Sequence, residues 1–215
     1  MTTAYAPPAV DLTRRPLAGA ALEAALQPLH DRRSANALAA PGPDADQLGA
    51  LLRAAATAPD HGMLRPYRFV VVREDGKAAL GAALVDAARE ALPGLPAEAE
   101  AKIAGKTALA PVMVLLVASP VAGHKVPEWE QVAAASCAGY GLVLAADLAG
   151  FGAVWKSAPA MGGTALTRLL ALAPGEQVLG WVNLGTRVGV GPARRPVAAG
   201  EVATALVGDA LGPLV

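Results

Sequence analysis

Disulfide bonding within the chain is excluded at once: there is a single cysteine, Cys137, and one thiol cannot pair with itself. It sits in an Ala-rich apolar stretch and reads as a buried small hydrophobe. Histidine is scarce too, with only His30, His61 and His124. His30 and His124 lie far from each other and from acidic residues at zinc spacing, and His61 has no second His at i+4, so no metal site is expected. Gly-x-Ser-x-Gly is missing, which removes the mark of a hydrolase elbow. The phosphate loop G-x-x-x-x-G-K-[ST] is missing as well.

Net charge is lacking in either sign, since Lys plus Arg is 18 and Asp plus Glu is 18. Such a balance offers no broad attraction for nucleic acid or an anionic membrane, although a local cluster can still hold one phosphate. The longest uncharged apolar run covers residues 132–146 and is closed by Asp147. It falls short of the ~20 residues that span a bilayer and reads as a buried helix. The first residues lack a basic segment followed by an apolar one, the pattern of a secretory signal. A soluble protein is expected, and a cytoplasmic setting is compatible with the lone thiol. Aromatics make up 4% of a chain that is 54% hydrophobic. Small side chains, chiefly Ala, bury little area each, so extra burial through subunit association is expected.

What is present suits one domain with an extension. Residues 1–20, with Pro7, Pro8 and Pro16, read mostly as a flexible lead-in. A first amphipathic helix is predicted over 17–32, carrying Leu22, Leu26 and Leu29. Asp44 with Gln47 three residues on predicts a capped second helix with Leu48, Leu51, Leu52 and Ala55 on one face, stopped by Pro59. Strand patterns occur at 68–73, 112–117, 153–156 and 177–184, and the unbroken apolar run of the second predicts a central strand covered on both faces. Asp75-Gly76 reads as a turn into a third helix. Shorter helices are predicted within 97–107 and, capped by Thr164, up to Leu172. A long helix is predicted from Trp129 to Ala149. From Gly189 the chain is rich in Gly, Pro and Ala and reads as an extended arm over a neighbour. The interspersed order predicts a layered domain of helices and strands.

Three segments could carry chemistry. Arg32-Arg33-Ser34 offers two forked cations and a hydroxyl, the donors that a phosphate monoester needs. On its own the pattern reads first as a solvated basic helix end. The long polar loop at 57–69 contains Thr57, Pro59, His61, Gly62 and Pro66 and can approach a planar ligand, or it is a plain surface turn. The stretch 150–157 turns tightly and delivers Trp155, Lys156 and Ser157, an indole, a cation and a hydroxyl, or else ordinary strand packing with a solvated lysine. Its two glycines do not complete a dinucleotide fingerprint.

Together these segments resemble the short bacterial, YdjA-type branch of the nitroreductase family. The resemblance runs through Arg32-Arg33-Ser34, Ala58-Pro59-Asp60-His61, Pro66-Tyr67-Arg68-Phe69, the stretch from His124 to Gln131, Gly150-Phe151-Gly152 with Trp155-Lys156-Ser157, and Leu184-Gly185-Thr186. It implies an α+β fold with a central mixed, mostly antiparallel sheet flanked by helices, in an intertwined homodimer with FMN at the interface. By motif match it implies Arg32, Arg33 and Ser34 at the phosphate and ribityl end, Thr57 and His61 at the flavin from the second loop, and Trp155, Lys156 and Ser157 lining it from the third. Residues 145–150 match a branch segment for NAD(P). The implied activity passes electrons from NAD(P)H by a ping-pong mechanism to a nitroaromatic, quinone or similar small acceptor. The alternative is an FMN-binding carrier or sensor without turnover. Asn36 stands where many members have a basic residue, so Arg194 or Arg195 are candidates to supply that charge, and Lys156 stands where this branch often has Arg.

Overall fold

The structure, a computed structural model, describes Thr13, residues 15–189, Gly191, Ala193 and residues 195–214. Most of the expected lead-in, and Arg194, lie outside the described residues. The elements run α1 (Gly19–Asp31), β1 (Leu38–Ala39), α2 (Ala45–Ala55), β2 (Tyr67–Val72), α3 (Glu74–Ala91), α4 (Ala97–Ala104) with a 3-10 turn (Gly105–Ala108), β3 (Val112–Ala118), α5 (Glu128–Leu148), β4 (Gly152–Lys156), α6 (Thr164–Leu169) and β5 (Gln177–Arg187). A hairpin of β6 (Thr204–Val207) and β7 (Ala210–Pro213) follows.

The main sheet has the order β1-β5-β3-β2, with β4 also paired to β5, and every described pairing is antiparallel. Alternation along β3 sends Met113, Leu115 and Val117 into a core with α3, α4 and α6. Val112 and Val114 face a second core with α2 and α5. Both faces are covered, so all seven residues of β3 are buried, as the unbroken apolar run predicts.

The capping box of α2 forms as its spacing predicts: Asp44 accepts from Gln47 N, and the Gln47 side chain accepts from Asp44 N. The long helix ends at a Schellman turn, Gly150 N donating to Asp147 O and Phe151 N to Ala146 O. Its 21 residues are long and apolar enough to cross a bilayer by length and composition. Eight of them, including Gln131, Gly139 and Leu142, are instead buried within the domain.

Three local expectations need correction. Asp75-Gly76 is not a turn before α3 but lies in its first turn, because Glu74 and Asp75 suit the positive end of the helix dipole. Thr164 is not the cap of α6, whose N-cap is Gly163; the Glu90 carboxylate reaches across from α3 to accept from Thr164 N at 2.9 Å. The same helix stops at Leu169, since Ala171 takes φ 47° and turns the chain. The C-terminal arm also contains the β6–β7 hairpin, which its Gly- and Pro-rich composition does not announce.

That turn delivers Glu176 to a polar staple. Arg68 of β2 grips it with two hydrogen bonds of 2.8 Å and also donates to Leu170 O. Ser119 Oγ and Ala173 N donate to the same carboxylate. The Arg68 guanidinium first, helped by Ser119 and the Ala173 N–H, holds the Glu176 carboxyl well below the usual range, at about 2. A depressed folded-state pKa stabilises above the ordinary carboxylate range and loses that stabilisation as pH falls toward 2. For this mostly buried carboxylate the contribution is on the order of 3 kcal/mol. Glu176→Gln is therefore expected to lower the urea midpoint clearly at pH 7, and the gap to wild type is expected to narrow between pH 5 and pH 3. A gap independent of pH would contradict this assignment.

Candidate functional site

The loop after α1 is built by its backbone. Arg32 N closes the helix on Pro28 O at 3.1 Å, and Arg33 folds back so that its guanidinium donates to the carbonyls of His30 and Arg32. Ala35 N then donates to Ala153 O at 3.0 Å, which pins the loop to β4, and Val188 N donates to Ala37 O. Lys156, at the end of β4, donates to Asn36 Oδ1 at 3.0 Å. Asn36, notable in the sequence for lacking charge, is thus the neutral partner that orients a cation.

Arg33, Ser34 and Asn36 line a cavity of about 410 Å³ closed by Arg187, Val188 and Gly189. Arg33 also borders a second cavity of about 440 Å³ with His30, Arg195 and Pro196. Arg195 is itself engaged by Glu201 at 2.8 Å. Arg187 belongs to none of the three candidate segments. It pairs with Asp147 and donates to Phe151 O, so it joins the end of α5, residues 145–150, to this pocket. Its signal lies in the sequence as the residue directly after Leu184-Gly185-Thr186.

The second loop is placed elsewhere on the chain. Thr57 Oγ1 donates to Ala54 O at 2.8 Å, and the Asp60 carboxylate accepts from Arg65 N five residues on, which closes the loop. Gly62, Met63 and Arg65 all take positive φ, so the loop is tightly coiled. His61 Nδ1 lies 3.0 Å from Glu130 Oε2 in the first turn of α5. Tyr67, whose hydroxyl faces Ala56 O, has its pKa raised by burial and then by Asp60. Between this loop and α5 runs an apolar groove of about 500 Å³, lined by Thr57, Pro59, Ser136, Cys137 and Tyr140 among others. Cys137 is exposed there, against the expectation of a buried thiol, because it sits on the outer side of α5.

The third segment divides between the two faces of the sheet. Trp155 packs on the α2–α5 core, its indole Nε1 donating to Leu179 O. A Cβ at Gly139 or at Gly180 would come within 2.6 Å of its ring system. Lys156 is paired in register with Trp181 and so emerges on the opposite, α4 side. Ser157 O accepts from Lys106 Nζ at 3.4 Å. Within one chain, then, Lys156 is tied to the Arg33–Asn36 loop through Asn36 and Ser157 O accepts from Lys106, whereas Thr57 lines the α2–α5 groove, His61 pairs with Glu130 of α5, and Trp155 is half-buried against the α2–α5 core.

The sequence profile described as "Nitroreductase family" matches residues 29–186. The chain is 35% identical over 162 residues to "Putative NAD(P)H nitroreductase YdjA" of Escherichia coli K12, spanning 75% of this chain and 87% of that one. It is 39% identical over 164 residues to a Haemophilus influenzae Rd protein also named for NAD(P)H nitroreductase, spanning 75% and 88%. Among solved structures it is similar to a nitroreductase-like family protein from Bacillus cereus, with TM-score 0.72 and 19% identity over 85% of this chain and 95% of that one. It is also similar to a mutant of the FMN and NADPH-dependent nitroreductase NfnB from "sphigopyxis sp. strain HMH", with TM-score 0.63 and 22% identity over 83% and 97%. These two likenesses establish the α+β fold.

Proposed function

The chain belongs to the nitroreductase family, and from that premise we propose that it is an FMN-dependent oxidoreductase passing electrons from NAD(P)H to a nitroaromatic, quinone or similar small acceptor. The observation that carries this reading is the cavity lined by Arg33, Ser34 and Asn36, with Lys156 of the neighbouring strand end hydrogen-bonded to Asn36. Forked cation, hydroxyl and oriented ammonium are the donor set for a phosphorylated ligand with polar edges, and the neighbouring backbone holds them in place. The residues fit FMN. Arg32, Arg33 and Ser34 would hold the phosphate and ribityl end, with Lys156 and Ser157 at the polar edge of the ring. FMN, when bound, supplies two-electron chemistry, so donor and acceptor would occupy one place in turn and the protein needs no nucleophile of its own.

The remaining residues complete the site if two copies share it. Helix α1 buries no residue, and Leu22, Leu26 and Leu29 remain 36–39% exposed. The outer side of α5 leaves Trp129, Cys137, Tyr140 and Leu148 exposed, and the hairpin exposes Leu206 and Leu211. Unpartnered apolar surface on three elements of one chain is the mark of an interface. In this reading Thr57 and His61 reach the flavin of the partner copy, Trp155 backs the shared wall, and the arm beyond Gly189 lies over the neighbour. The lone thiol suits the cytoplasm.

The test is direct. The purified protein is expected to be yellow, to have the mass of a dimer by light scattering, to be bleached by NADH or NADPH without oxygen, and to recolour with a nitroaromatic or quinone. A yellow protein that neither nicotinamide bleaches would instead be a flavin carrier or sensor. A colourless one that takes up no FMN would sink both readings.

A further inference from the structure

Among the described residues, three lysines gather on the α4 side of β4 with no carboxylate paired to any of them. Lys102 in α4 and Lys106 in the following 3-10 turn are four residues apart on one continuous helical stretch and so share a face. Lys106 reaches Ser157 O at 3.4 Å, and the next residue back, Lys156, emerges on the same side. The partners seen for Lys106 and Lys156 are neutral oxygens, of Ser157 and Asn36. Among the described residues none of the three pairs with a carboxylate, whereas Lys77, Arg68, Arg89, Arg187 and Arg195 all do. Burial first, then Lys102 and Lys156, push the Lys106 ammonium below its ordinary range. Like charges gathered at a half-buried place oppose folding, and a bound anion relieves both the repulsion and the desolvation.

We propose that Lys102, Lys106 and Lys156 form an anion subsite beside the electron-transfer site, taking a phosphate or carboxylate carried by the ligand that docks there. The assignment of a docking ligand rests on the oxidoreductase reading above; the convergence of charge does not. Two sources share this chemistry: the 2′-phosphate of the nicotinamide donor and a carboxylate on the acceptor. The strand end that presents Lys156 also carries the predicted flavin contacts, so an anion held here would orient its carrier toward the ring.

Steady-state kinetics of the flavin-loaded protein separate the sources. One arm compares NADPH with NADH; the other compares 4-nitrobenzoate with 4-nitrobenzyl alcohol. In Lys102→Gln/Lys106→Gln the ratio of kcat/KM for the anionic over the neutral member is expected to fall about tenfold in one arm, and that arm names the source. Lys77→Gln, which removes one charge from α3, is expected to leave both ratios alone. Ratios that hold in both arms for the double variant overturn the proposal. If the protein binds no flavin and turns nothing over, the function proposed above has failed separately, and the subsite is judged by NMR of the full chain with 13C-methylated lysines. The Lys106 resonance, identified by its loss in Lys106→Arg, must then move on titration with inorganic pyrophosphate; a resonance that stays put overturns the subsite.

Discussion

Gly180→Ala is expected to destabilise the protein by about 3 kcal/mol or more, lowering Tm by roughly 10 °C. Gly180 sits where the register of β3 against β5 shifts: Leu116 pairs with Gly180 and Val117 with Val178, so Leu179 is an extra residue in the ladder. The bulge gives Gly180 a φ of 132°, which side chains resist. A Cβ there would lie 2.5 Å from Lys156 O and 2.6 Å from Trp155 Nε1. The first of these neighbours is backbone and cannot swing aside. Relief requires moving the end of β4, which carries Trp155, Lys156 and Ser157, so retention of FMN should weaken along with stability. Gly94→Ala supplies the control, because its φ is 86° with open space around the new Cβ; it should cost only the backbone part of the effect. Equal melting temperatures for the two variants would show that the clash is relieved without strain.

Arg33→Ala is expected to weaken FMN binding about 10- to 100-fold, the worth of one charge-assisted hydrogen bond to phosphate. Riboflavin, which lacks the phosphate, should bind wild type and variant alike. Arg33 also donates to His30 O and Arg32 O at the end of α1, so truncation could loosen the loop as well. Arg33→Lys separates the two effects: it keeps the charge, loses the fork, and should recover part of the affinity. Fluorescence titration of each flavin gives the constants. Equal losses for FMN and riboflavin would mean that Arg33 only supports the loop, and the phosphate assignment would fail.

Much of the architecture was legible because periodicity and capping are local. The unbroken run of β3, the Asp44–Gln47 box and the glycine stop after α5 follow from neighbours in sequence. Boundaries failed where a distant group intervened, as when Glu90 of α3 closes the start of α6. The Gly180 bulge left a trace, since a glycine inside a strand pattern suggests one, but only the opposing β3 fixes its place. Arg187 left almost none, because its partners Asp147 and Phe151 are 40 and 36 residues away.

The sequence by itself determined the alternation of elements, the family, and the three segments with donors suited to a phosphorylated ring, because each is written in short-range spacing. Only the tertiary structure decided which of those donors meet. It set Arg33, Ser34 and Asn36 around one cavity with Lys156 bonded to Asn36, turned Trp155 to the other face, and paired His61 with Glu130 of α5. The reason is geometric: consecutive residues of a strand point to opposite faces, and which face meets which loop depends on packing across the whole sheet.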